Sequence, residues 1–69
     1  MKLSARNVLK GKVIQVKPGA VNSEIVLELL GGAQVVAIIT KESAEKLELA
    51  PGKTAYAVIK ASSVMIAID

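Results

Sequence analysis

The stretch Val21-Asn22-Ser23-Glu24-Ile25-Val26-Leu27-Glu28-Leu29-Leu30-Gly31-Gly32-Ala33-Gln34-Val35-Val36-Ala37-Ile38-Ile39-Thr40 decides the fold. Its first half alternates, with Ile25, Leu27 and Leu29 on one face and Glu24, Val26 and Glu28 on the other, the period of a half-buried β-strand. Gly31-Gly32 then supplies the positive φ of a hairpin turn. The second half, Ala33 to Ile39, is apolar on both faces except at Gln34. A strand of that kind needs cover on both sides, from a barrel interior and either a helix or a neighbouring subunit.

Outward from this hairpin, turn signals at Pro18-Gly19 and Pro51-Gly52 cut off the flanking segments. Asn7 to Lys17 reads as a strand with one wet face, interrupted by Gly11, which suggests a bulge or a barrel bend. Thr40 to Leu47 breaks the β pattern: Thr40 suits an N-cap, Glu42 and Glu45 lie early, and Ala44 and Leu47 share a face, so a helix of about two turns is expected. Lys53 to Lys60 and Val64 to Ile68 read as two further strands. The predicted order is β-β-β-α-β-β over a single domain of residues 1–69. That is an all-β, five-stranded OB-like Greek-key barrel with one short helix between strands 3 and 4.

Composition narrows the chemistry. The 69 residues are 52% hydrophobic but only 1% aromatic, Tyr56 alone. So short a chain buries its aliphatic surface incompletely by itself, which points to a subunit interface. With no Cys and no His there is no disulfide, thiol catalysis, zinc–thiolate site or imidazole base. Strictly apolar runs such as Val35–Ile39 reach only five residues, far short of the ~20 residues of a membrane helix. Met1 leads directly into Lys2, Ser4, Arg6 and Asn7, unlike a signal peptide, so a cytoplasmic location is expected. Nine Lys+Arg against six Asp+Glu give +3, a mild bias toward anions.

Hydroxyls and cations recur at the segment ends. Ser4 and Arg6, two residues apart, point to one side of an extended chain. Thr40 and Ser43 lie at a strand-to-helix junction, and Lys60 is followed by Ala61-Ser62-Ser63. Short neutral donors, turn amides and two positive charges suit a tetrahedral oxyanion. Each piece has a plainer reading alone: a helix cap for Thr40 and Ser43, a solvated strand end for Lys60, an N-terminal arm for Ser4 and Arg6. Convergence is what would set them apart. Gly19 to Glu24 is simplest as a turn, or alternatively a loop whose amides face an anion.

Ser4-Ala5-Arg6-Asn7, then Gly11, Gly19-Ala20-Val21-Asn22-Ser23-Glu24, Ile39-Thr40-Lys41-Glu42-Ser43 and Lys60-Ala61-Ser62-Ser63-Val64 together resemble the molbindin (Mop) family. These are the single-unit molybdate-binding TOBE domains, and the likeness covers essentially the whole chain with no departure at the polar motif positions. It implies a cytoplasmic protein that binds molybdate and tungstate for molybdenum storage and homeostasis, with no covalent cofactor. It further implies a homohexamer, a trimer of dimers, holding oxyanions between subunits. One class of site would take Ser4 and Arg6 from one subunit and Thr40, Ser43, Lys60 and the Ala61 backbone from the adjoining one. A second, near a threefold axis, would use Val21, Asn22 and Ser23.

Two other function classes fit less well. OB-type single-stranded nucleic-acid modules rely on aromatic stacking in a basic groove, and Tyr56 is one ring in a chain whose lysines alternate with glutamates. An enzyme would have to rest on Lys60 beside Ser62 or Ser63 as a Ser–Lys dyad, with little cleft in so small a barrel. The expectation is therefore a binding protein and not an enzyme, with no nucleic-acid or membrane partner.

Overall fold

The computed structural model describes residues 3–69; Met1 and Lys2, on which the N-terminal reading begins, lie outside them. Strand β1 spans Asn7–Pro18, β2 Asn22–Leu29, β3 Gln34–Thr40 and β4 Thr54–Ile59, with helix α1, Lys41–Lys46, between β3 and β4. They form a mostly β, curled antiparallel sheet in the order β3-β2-β1-β4, a half-barrel.

Five strands were expected and four form among the described residues. After β4 a 3-10 turn, Ala61–Ser63, leads into Val64, whose backbone is extended. Residues 64–69 then make no ladder bond to β3 or β4; their one backbone bond runs from the Val64 amide to the Ala61 carbonyl. The β-branched pattern of Val64–Ile68 reports a strand propensity. A strand also needs a neighbour, and within this chain that segment has none.

The order of pairing follows from alternation. On β3, residues 35, 37 and 39 turn inward and 34, 36, 38 and 40 outward; on β4, 55, 57 and 59 turn inward. The core is Val13, Ile25, Leu27 and Ala44, with Val16, Val35, Ala37, Ile39, Leu49, Ala55 and Ala57 packed against it. Ala44 is the one buried residue of α1, so the helix closes one end of the sheet with its smallest side chain. The outer faces of Val36 and Ile38 stay exposed. The double-apolar β3 therefore has its inner cover in this chain and lacks an outer one.

The bulge predicted near Gly11 lies instead at Ile14, where Val13 pairs with Leu27 but Gln15 pairs with Val26. The extra residue lets both Val13 and Val16 face the core. Gly11 has a different task. A Cβ there would stand 2.9 Å from the Glu28 carbonyl oxygen, so its bare Cα is what allows β1 and β2 to approach. The hairpin glycines behave as read: Gly31 and Gly32 have φ of 94° and 96°.

Candidate functional site

The expected donors fall into two groups, set by how β1 is shared. Its first half pairs with β4, from Asn7 opposite Ile59 to Lys12 opposite Thr54. Its second half pairs with β2, ending at Pro18 opposite Ser23.

At the first end, Ser4, Arg6, Lys60, Ala61 and Ser62 line one shallow concavity of about 530 Å³ over Val58. The Asn7 side-chain amide donates to the Ile59 carbonyl at 3.3 Å, tying the residue after Arg6 to the residue before Lys60. The two cations thus project from neighbouring strand ends, and both are exposed. The 3-10 turn follows at once, with its Ser63 amide bonded to the Lys60 carbonyl at 2.8 Å. Ser62, one of the short donors that follow Lys60 in the sequence, joins this wall as well. Its signal was present in the Lys60-Ala61-Ser62-Ser63 motif.

At the other end of β1 lie Thr40, Ser43 and the loop before β2. Asn22 pairs with Thr40, and the Lys41 amide donates to the Val21 carbonyl at 2.8 Å. Thr40 is a true N-cap: the Ser43 amide donates to its Oγ1 at 3.0 Å. Its own hydroxyl donates onward to Ser43 Oγ at 2.7 Å. The Thr40 proton is therefore engaged, while Ser43 accepts and keeps its O–H free to donate elsewhere.

The loop residues are not equivalent. Val21 and Asn22 are exposed, but Ser23 is 2% exposed on the inner side of β2. Any contact from Ser23 to an outside anion would have to come from its backbone. The Gly19 amide is turned inward to the Asn22 carbonyl at 2.7 Å. The amides of Ala20 and Val21 have no backbone acceptor among the described residues.

The two groups do not meet within one chain. The 12 residues of β1 lie between them, a run of about 36 Å along the strand at about 3.3 Å per step before its curl shortens the span. The whole molecule is 35 Å long. Ser4, Arg6, Lys60 and Ala61 are brought together; Thr40 and Ser43 are not brought to them. Among the described residues no group of three or more Asp or Glu side chains could hold a bare metal ion.

Comparison with known proteins follows the same pattern. The model of the TOBE domain matches residues 3–66. The chain is 52% identical over 66 residues to molybdenum-pterin-binding protein 3 of Clostridium pasteurianum, covering 96% of this chain and 97% of that one. The solved molybdate-binding protein from Sporomusa ovata superimposes with a TM-score of 0.92 at 35% identity, over 99% of this chain and all of that one. The cytoplasmic molybdate-binding protein ModG, solved with molybdate bound, gives 0.91 at 49% identity, over 94% of this chain and 46% of that one.

Proposed function

Because this chain belongs to the TOBE-domain family in its single-unit molbindin (Mop) form, we propose that it binds molybdate reversibly between copies of itself. One observation carries this reading. The complementary donors of one chain sit at opposite ends of β1, so a complete cage requires two chains. One subunit supplies the wall of Ser4, Arg6, Lys60 and Ala61; the adjoining subunit supplies Thr40 and Ser43. The family pattern assigns Lys60 and Ala61 to the adjoining subunit, whereas their place beside Ser4 and Arg6 favours giving all four to one wall.

The chemistry is capture without reaction. Arg6 and Lys60 contribute one positive charge each against a dianion, which offsets the cost of taking it out of water. The Ser4 and Ser43 hydroxyls and the Ala61 amide donate to its oxygens, and no bond is made or broken. A metal wrapped in oxygen asks for donors and cations, which this chain has, and not for imidazole or thiolate, which it lacks. Tungstate presents the same tetrahedron and binds likewise, while sulfate is disfavoured by its smaller size.

The loop Val21-Asn22-Ser23 forms the second class of site near a threefold axis of a hexamer, through the exposed Asn22 and the loop amides. The role is molybdenum storage and homeostasis in the cytoplasm, the setting of the similar ModG. Among the described residues no helix is long and apolar enough to cross a membrane. Tyr56, paired with Lys10 on the outer face, offers one stacking ring, too few for a single-strand platform.

The test is calorimetric titration with molybdate, tungstate and sulfate alongside native mass measurement. The expected result is saturable binding of the first two, weak or no binding of sulfate, and a hexameric mass. Absence of heat with molybdate, or full binding by a monomer, overturns the reading.

A further inference from the structure

We propose that the interface site sorts tetrahedral dianions by proton as well as by size, taking those whose oxygens are all free of hydrogen and turning away those that keep one. This selectivity rests on the binding reading above and names the class of anion that the site admits.

No Asp or Glu side chain lines the concavity at the Arg6 end of β1. The ion pairs among the described residues are Lys46 with Glu42 and Lys53 with Glu48, so Arg6 and Lys60 share one concavity without a carboxylate to offset either. Arginine and lysine side chains carry N–H donors and no acceptor. The Ala61 and Ser62 amides have no backbone acceptor among the described residues and add two N–H donors to the wall. Its side-chain oxygens are the Ser4 and Ser62 hydroxyls. The adjoining wall repeats the pattern. Ser43 Oγ already accepts from the Thr40 hydroxyl at 2.7 Å, which leaves its own proton to be given outward. Glu42, the carboxylate beside it in sequence, holds Lys46 at 3.6 Å, and Glu45 lines a separate small cavity with Val16 and Leu49.

A site built this way meets molybdate, whose oxygens all accept, with donors throughout. Hydrogen vanadate in mildly alkaline solution has the same charge and nearly the same size, but one of its oxygens carries a proton. That proton either faces an N–H donor or turns a serine hydroxyl round to accept it, which withdraws the hydroxyl's donation from another oxygen. In both cases one charge-assisted hydrogen bond is lost, a penalty of about tenfold or more in affinity. Neither charge nor size separates the two anions in this way, so the discrimination belongs to the proton. Ser62 is exposed in the 3-10 turn, which makes it the place where an acceptor can be added without touching the core.

The experiment titrates the full chain with molybdate and, separately, with micromolar hydrogen vanadate in the same mildly alkaline buffer, then repeats both with Ser62→Asp. The parent should bind molybdate about tenfold or more tightly than hydrogen vanadate. Ser62→Asp repels both dianions equally by charge but offers the vanadate proton an acceptor, so molybdate should lose more affinity than hydrogen vanadate and the gap should narrow. Ser62→Asn, which adds a carbonyl acceptor without charge, makes the same comparison where the carboxylate hinders assembly. Equal affinity of the parent for the two anions, or a gap that neither variant narrows, overturns the proposal while molybdate binding stands. A parent that gives no heat with molybdate fails at the earlier step and overturns the binding reading together with this one.

Discussion

Asn7 donates from its side-chain amide to the Ile59 carbonyl at 3.3 Å across 52 residues of chain, and this bond ties the residue after Arg6 to the residue before Lys60. Neither cation touches the other's strand by sequence proximity. Their nearness is a product of β1–β4 register, in which Asn7 and Ile59 are the terminal pair.

Replacing this amide should therefore damage binding more than folding. Asn7→Ala removes one partly buried hydrogen bond, a loss of about 1 kcal/mol in stability. The Arg6 and Lys60 ends become free to splay, so molybdate affinity at the interface site should fall roughly fivefold to tenfold, which corresponds to about 1–1.4 kcal/mol. Thermal melting and calorimetry on the same variant read the two quantities separately. A variant that melts lower but binds molybdate as tightly as the parent shows that the bond serves folding alone.

Thr40 and Ser43 can be told apart because their hydroxyls have different engagements. Thr40 caps α1, so Thr40→Ala should lower stability by about 1 kcal/mol, within the range of lost N-caps. Ser43 gives its backbone amide to that cap, which Ser43→Ala retains; the change removes the free donor proton and the exposed acceptor of the Thr40 hydroxyl. Because that second bond is solvent-exposed, Ser43→Ala should lower the melting temperature less than Thr40→Ala while weakening molybdate binding. Equal binding by the Ser43 variant and the parent would remove Ser43 from the site.

The two site classes predict a change in stoichiometry rather than a uniform loss. Arg6→Ala takes one of two positive charges from the interface site and leaves the Val21-Asn22-Ser23 loop untouched at the far end of β1. Titration of that variant should show the interface class gone and the loop class retained. If every parental site survives, Arg6 is not a ligand.

Much of this was legible in the residues, and what escaped did so for identifiable reasons. The alternation of Ile25 and Leu27, the Gly31-Gly32 turn and the Thr40 cap are local signals, and the structure carries all three. The segment Val64–Ile68 also carries a strand pattern, but pairing depends on where an edge is open, which periodicity does not encode. Gly11 was readable as special without revealing why; its neighbour across the sheet, the Glu28 carbonyl, decides that it serves close approach and not a bulge. Ser4, Arg6, Lys60, Thr40 and Ser43 were readable as donors by type. Their division into two groups follows only from the stagger of β4 and β2 along opposite halves of β1.

Charge gives the last prediction. Each chain carries +3, so the proposed hexamer would gather six times three, +18, a self-repulsion that bound dianions would relieve. On the proposed reading, molybdate held between subunits would bind only the assembled state and stabilise it by mass action, by about 2.7 kcal/mol per site at a hundredfold excess over Kd. Both effects act in the same direction, so excess molybdate should raise the melting temperature by several degrees and slow subunit exchange between differently labelled assemblies. Salt separates the two contributions: it screens the repulsion of the ligand-free protein while leaving a buried, hydrogen-bonded anion largely unscreened. Added sodium chloride should thus recover part of the stabilisation but none of the slowed exchange. A melting temperature that does not move with molybdate rules out an oxyanion shared across the interface.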